Sequence, residues 1–347
     1  MPILPQVAMP FVRLLYQFWL DNDISKQILD DILGIDITTE GREKFGISSH
    51  KMASLHQAAV EHAKDPALGV RLGQYIAKSN LTIGDMLIKS ETLSVGLEAL
   101  IAHSQVISES GCFELTDIDD DTVRLSFSPS EGVVFSSYQK DMIFAAIQDC
   151  FLSVFSDAGK YINYHYDKNS VSGKEHDELL ECSIHKSNDT YLEISRSLLS
   201  RVNPSADKLL FDKNLTSANK IIVKRLQRLD LYIEVRTAIK DCLLQQSATQ
   251  ENVAQKLNLT IRNLQRRLKE VGITYQAILD DSREALALSL IKDLDLPLYE
   301  ISFLVGFTEP SAFYKAFRRW TGKRPGDYRQ DVIRETDQSV IEDIVTL

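Results

Sequence analysis

Six polar side chains at a repeated helical spacing carry the strongest chemical signal in this 347-residue chain. Arg262, Gln265 and Arg266 fall at i, i+3 and i+4, so a helix brings them to one face. Such a face suits the edges of DNA base pairs. A guanidinium forks onto guanine O6/N7 and an amide onto adenine N6/N7, each worth about 1–3 kcal/mol of discrimination. Ser311, Tyr314 and Lys315 repeat the spacing 49 residues later. Lys315 lacks the bidentate fork of an arginine, so the second face is expected to add affinity more than sequence choice. Thr260, Arg267, Lys269, Arg318 and Arg319 lie beside these faces and are expected to meet phosphates.

The elements that must hold these side chains read as two helix-turn-helix units. In the first, Thr249 caps a helix whose Val253 and Leu257 face inward, and small Ala254 admits a crossing helix. Asn258 stands at the turn, where Asn tolerates the left-handed conformation. Thr260 then caps a second helix, buried along Ile261, Leu264 and Leu268. In the second unit Gly306 makes the turn, Phe307 plugs the core beneath it, Pro310 opens the recognition helix and Phe313 and Phe317 form its buried stripe. One residue is added at this second turn. Between the units, Tyr275–Leu294 is expected to form one helix of about 20 residues, stopped by Pro297. At 1.5 Å per residue it spans about 30 Å, close to the roughly 34 Å between major grooves on one side of B-DNA.

Charge is unevenly spread. The chain carries net −10, yet residues 218–330 hold 19 Lys+Arg against 13 Asp+Glu, while residues 1–217 hold 19 against 31 and the tail 331–347 holds 1 against 5. An acidic body with a basic module is expected of a protein that meets phosphates with one part only. The apolar run Ile3–Leu20 lacks a basic leader and is interrupted by Arg13, so no signal peptide is expected, and no stretch reaches the length of a membrane span. Cys112, Cys150, Cys182 and Cys242 lie far apart, as buried thiols in a reducing cytoplasm would. The motifs HExxH, GxSxG, P-loop and GxGxxG are absent, so no enzyme and no cofactor are expected. Asp117–Asp121 opens like a calcium loop but has Thr122 and Ser128 where Gly and Glu are needed, which leaves a hairpin turn. His165, His176 and His185 are too irregularly spaced for a metal site.

Residues 1–211 read as an α+β domain, mostly helical with a small sheet, for effector sensing and association. Helices are expected to about residue 110, the second of the pair Ile83–Ser94 and Val95–Val106 starting after a capping Ser94. Strands are expected at Cys112–Thr116, Thr122–Ser128, Tyr161–Tyr166, Leu180–His185 and Thr190–Ile194, with a helix at Tyr138–Ala158. Asp212–Lys220 is polar, and residues 212–230 are expected to be a linker, 231–330 an all-α DNA-binding domain and 331–347 an acidic tail.

The C-terminal module resembles the AraC/XylS family of bacterial transcription regulators over about Val235–Arg329. The resemblance rests on Gly306-Phe307, Ser311 through Trp320, Gly322, Pro325 and Tyr328-Arg329; Ser302 and Arg324 depart from the family's usual small residues. Asp65-Pro66-Ala67-Leu68-Gly69-Val70-Arg71-Leu72-Gly73 and Ser90-Glu91-Thr92-Leu93-Ser94-Val95-Gly96-Leu97 are similar to the N-terminal domain that this family calls arabinose-binding. The resemblance implies a ligand-responsive regulator, usually an activator, binding double-stranded promoter DNA. RNA polymerase, a small-molecule effector and a second copy of the chain are its expected partners. The domain's name does not establish arabinose as the ligand, and no effector-binding residue is identified.

Overall fold

A three-residue strand, β1 (Gln6–Ala8), runs into α1 (Met9–Asp21), whose first turn holds Pro10 at no cost in hydrogen bonding. The computed structural model describes residues 6–33, 46–79, 81–167, 174–331 and 333–334. The chain divides into two units, Pro2–Val223 and Lys224–Leu347.

In the first unit α1 is followed by α2 (Lys26–Leu33), β2 (Gly46–Ser48), α3 (Ser49–Ala63), α4 (Leu68–Ala77), α5 (Thr82–Lys89) and α6 (Leu93–His103). β1 and β2 pair antiparallel, Val7 opposite Ile47. These two short strands were not expected. Gly46 is needed there, because a Cβ would stand 2.4 Å from the Val7 carbonyl oxygen. Apolar residues of α1, among them Leu15 and Trp19, pack fully buried against Leu55, Leu68 and Leu72.

The expected hairpin is present as β3 (Gly111–Asp117) and β4 (Thr122–Pro129), followed by α7 (Ser137–Val154), β5 (Ile162–Asp167), α8 (Lys174–Leu179), β6 (Ser183–Ser187), β7 (Tyr191–Ser195) and α9 (Arg196–Leu199). The five strands form one sheet in the order β3-β4-β7-β5-β6, antiparallel except for β5 with β6. α7 starts from a capping box between Ser136 and Gln139. Its Phe144 and Phe151 share the core with Leu125, Tyr164, Leu192 and Ile194 of the sheet.

The two glycine-bearing stretches have a steric explanation. A Cβ on Gly69 or Gly73 would lie 2.6 Å from the carbonyl oxygen of Tyr138 or Met142, so α4 meets α7 backbone to backbone. A Cβ on Gly96 would lie 2.5 Å from Ser90 Oγ, which itself donates to the Leu87 and Thr92 carbonyls and fixes the α5–α6 corner. The cap of α6 is Thr92, which accepts from the Val95 amide, and not Ser94. Ser94 sits one residue inside the helix and bonds Glu98.

Residues 212–230, expected as a linker, lie within α10 (Lys208–Leu244), a helix of 37 residues. The stretch contains neither Gly nor Pro, and polar residues without breakers continue a helix as readily as they form a loop. The chain's division falls inside α10, at Lys224. α11 (Gln250–Lys256), α12 (Ile261–Glu270), α13 (Tyr275–Leu290), α14 (Leu298–Leu304) and α15 (Pro310–Thr321) follow, and a further helical stretch begins at Pro325. Of the expected acidic tail, residues from 335 onward lie outside the described residues.

Candidate nucleic-acid interface

The two helical pairs are copies of one local structure, built from matching backbone bonds. At the end of α11 the Leu259 amide donates to the Ala254 carbonyl at 2.8 Å, and the Asn258 amide to Gln255 at 3.0 Å. At the end of α14 the Phe307 amide donates to Ser302 at 3.0 Å, and the Gly306 amide to Phe303 at 2.9 Å. Both are Schellman turns, which require a left-handed residue just past the helix. Asn258 has φ 54° and Gly306 has φ 81°. The second turn runs Val305–Glu309 and the first Leu257–Thr260, the one-residue difference read from the sequence.

α12 starts from Thr260, whose Oγ1 accepts from the Asn263 amide at 3.2 Å. Its inward face is Leu264 and Leu268, both buried, and Arg262, Gln265 and Arg266 are exposed together on the other. Gln265 donates to the Gln250 side chain at 3.2 Å. Arg266 pairs with Glu270 at 2.7 Å. Lys269 is exposed, and Arg267, half-buried, reaches Glu234 of α10 at 3.4 Å.

α15 buries Phe313, Ala316 and Phe317 and exposes Ser311, Tyr314 and Lys315. Tyr314 keeps its ring edge-on against Phe313, and the Ser311 hydroxyl lies 3.4 Å from the Glu309 carboxylate. Arg318 is exposed, and Arg319 pairs with Asp280 of α13 at 3.0 Å. The structure therefore brings each expected triad to one face of its helix. Three of the expected cations rest on carboxylates that flank those faces. Such exposed pairs are worth about 0–1 kcal/mol, so exchanging them for a phosphate costs little.

α13 is shorter than expected. It ends at Leu290, giving 16 residues, or about 24 Å in place of 30. Arg329 causes the early stop: its Nε donates to the Ile291 carbonyl at 3.0 Å and its Nη2 to Leu296 at 2.9 Å. The Asp293 carboxylate accepts the Asp295 amide, completing a turn before Pro297. Satisfying carbonyls from outside the helix releases the chain from the helical ladder.

The positioning residues were missed from the sequence. Arg283 of α13 donates to the Gly306 carbonyl at 2.6 Å and lies over the Phe307 ring, 4.5 Å from its centroid. Burial pulls its pKa down. Tyr275 donates to the Ala248 carbonyl at 3.1 Å, and burial pushes its hydroxyl up to about 12, so it remains a donor. A signal for Arg283 existed: a lone arginine four residues from Leu279 and from Ala287, in the buried phase of α13.

Among the described residues no group of three or more His, Cys, Asp or Glu is placed to hold a metal ion, and no helix is long and apolar enough to cross a membrane. His165 stacks on Tyr191 and bonds Glu193, and His176 is buried between Asp141 and Asp177.

Residues 253–331 match the helix-turn-helix domain family, and residues 31–202 match the arabinose-binding domain of AraC transcription regulators. The ornithine utilization regulator of Pseudomonas aeruginosa is 50% identical over 80 residues, 23% of this chain and 24% of that protein. The HTH-type transcriptional regulator VqsM of the same organism is 29% identical over 153 residues, 42% of this chain and 45% of its own length. The matches thus span less than half of either relative. The crystal structure of the transcriptional regulator CdpR from Pseudomonas aeruginosa aligns over 88% of this chain and 97% of that one, with 19% identity and a TM-score of 0.41. The two domain matches fall on complementary parts of the sequence, the exposed triads lie within one of them, and the chain belongs to the AraC family of helix-turn-helix transcription regulators.

Proposed function

We propose that this protein is a sequence-specific, ligand-responsive transcription regulator that acts in the cytoplasm on double-stranded promoter DNA. α12 and α15 enter successive major grooves. Arg262, Gln265 and Arg266 read bases, and Ser311, Tyr314 and Lys315 serve mainly as an anchor. Thr260, Arg267, Lys269, Arg318 and Arg319 meet phosphates. The observation that carries this reading is the repeated turn, which leaves one polar triad exposed on each recognition helix. α13 alone is shorter than the groove repeat, so the helical pairs at its two ends supply the remaining separation.

In this reading residues 1–211 sense the effector, support association of two copies and change promoter occupancy or contact with RNA polymerase, usually towards activation. An apolar cavity in the first unit favours an effector-responsive protein over a constitutive architectural one. Fluorescence anisotropy on a specific and a scrambled duplex tests the assignment of bases. Arg266→Ala should weaken the specific duplex by about 1–3 kcal/mol and leave the scrambled one nearly unchanged. Equal losses on both would remove Arg266 from the base readers.

A further inference from the structure

The first unit holds a cavity of about 150 Å³ bounded by α3, α5, α7 and the β3–β4 hairpin. Its described lining is mostly aliphatic and aromatic, with Met52, Leu87, Phe113 and Ile147 among its walls; Ser49, His56, Ser104, Ser108, Ser110 and Gln139 are its polar side chains, and it contains no Asp, Glu, Lys or Arg. Two polar residues in that lining are unsatisfied. His56 and Ser110 are each 3% exposed, and His56 Nδ1 and Ser110 Oγ have no hydrogen-bond partner. Buried polar atoms are nearly always paired, so two such atoms at one cavity mark a place where a further group belongs. A cavity of this volume with apolar walls accepts a molecule about the size of benzene.

We propose that this cavity is the effector site and that its ligand is an uncharged molecule with a small hydrocarbon or aromatic body and one hydrogen-bonding group, not a sugar. The proposal rests on the reading of the protein as ligand-responsive. A sugar would need a partner for each hydroxyl, and of the lining's polar side chains Ser104, Ser108 and Gln139 already bond within the protein. A carboxylate would need a cation. His56 is no substitute, because burial between the rings of Trp19 and Tyr138 pulls its pKa down to about 3 and keeps it neutral. A neutral imidazole and a hydroxyl can each give or accept one hydrogen bond, which suits an alcohol, phenol, amide or ketone.

Gly84 of α5 supplies the means of testing this. It lines the cavity, and a Cβ built there meets no atom within 4 Å. A Cβ there displaces no neighbour, and Gly84→Leu extends an apolar side chain from that opening and replaces a poor helix former with a good one. Saturation-transfer NMR titrations of the full chain with 1-butanol, 1-hexanol, hexanoate and L-arabinose read the site directly. 1-Hexanol should bind saturably and roughly fifteenfold more tightly than 1-butanol, about fourfold per buried methylene. Hexanoate should bind at least tenfold more weakly than 1-hexanol, and L-arabinose should give no saturable signal. Gly84→Leu should lose 1-hexanol binding by tenfold or more, and Ala53→Leu should repeat the block from α3. No saturable 1-hexanol binding, equal binding of hexanoate or L-arabinose, or unchanged affinity in both variants would overturn the proposal. If 1-hexanol binds as expected but a promoter fragment binds equally with and without it, the site stands and the ligand-responsive reading falls.

Discussion

Asn258 and Gly306 occupy the same place in two copies of one turn, each left-handed and each with its amide bonded three residues back. They are not equivalent in cost. A left-handed conformation costs an L-residue about 1–2 kcal/mol, with Asn among the least affected, and costs glycine nothing. Asn258→Gly should leave stability unchanged or raise it by up to about 1 kcal/mol. Gly306→Ala should destabilise by about 1–2 kcal/mol, and its Cβ must also displace Leu243, whose Cδ2 would lie 2.9 Å away. Urea unfolding midpoints compare the two, and a stabilised Gly306→Ala would show that the turn relaxes out of the left-handed region.

Arg283 braces that second turn from α13 through the Gly306 carbonyl and the Phe307 face. Replacing it with Met keeps the packing and removes the bond, leaving the carbonyl without its guanidinium partner. The loss should be about 1–3 kcal/mol of stability. DNA affinity should fall for specific and scrambled duplexes together, because the anchor helix, not the reading helix, is loosened. A selective loss on the specific duplex would contradict this division between the helices.

Arg319 rests on Asp280 in the free protein, with its side chain 65% exposed. An exposed pair of this kind adds at most about 1 kcal/mol, so Arg319→Ala should fold nearly as well as the parent. Its affinity should fall by similar factors on both duplexes, and the slope of log K against log salt should become shallower by about 1. Anisotropy titrations at several salt concentrations measure that slope. An unchanged slope would mean that Arg319 keeps Asp280 when DNA binds.

His56 makes the fold sensitive to acid. Its folded pKa is lowered by burial to about 3, while the unfolded chain titrates near 6.5. Below pH 6.5 the unfolded state therefore binds a proton that the folded state does not, and stability falls as pH falls towards 3. Between pH 7 and 5 the loss from this residue is about 2 kcal/mol. His176 acts in another window. Burial opposes its charge, but Asp141 and Asp177 outweigh burial and raise its pKa, so its contribution is present below 6.5 and lost as pH rises through the folded value. His56→Phe should flatten the decline between pH 7 and 5 in urea melts. An undiminished decline would assign the acid sensitivity elsewhere.

Much of this architecture was legible because it is local. Turn chemistry at Asn258 and Gly306, caps at Thr249 and Thr260, and the buried stripes of α12 and α15 depend on neighbours within a few residues. Features set by distant partners were not legible. Arg329 ends α13 from 38 residues away, the β1–β2 pair joins segments 40 residues apart, and Arg283 meets a turn 23 residues downstream. The helix through residues 212–230 was not legible for a different reason: Asp212–Lys220 is polar, and polarity reports solvent exposure, not the absence of a helix. The cavity was illegible because apolar residues that line a void carry the same sequence pattern as those that fill a core.

Glycines in the first unit separate packing from conformational freedom. Gly73 and Gly84 both lie inside helices with ordinary backbone angles. At Gly73 a Cβ would stand 2.6 Å from the Met142 carbonyl oxygen and 2.8 Å from the Ala146 amide nitrogen, so Ala can be accommodated only by moving α4 off α7. At Gly84 nothing lies within 4 Å. Gly73→Ala should therefore destabilise by about 1–3 kcal/mol through overpacking. Gly84→Ala should stabilise by about 0.5–1 kcal/mol, because the unfolded chain loses freedom and the helix loses nothing. Thermal melts of the two variants should move in opposite directions from the parent. Shifts of the same sign would show that helix propensity, and not the α4–α7 contact, decides both positions.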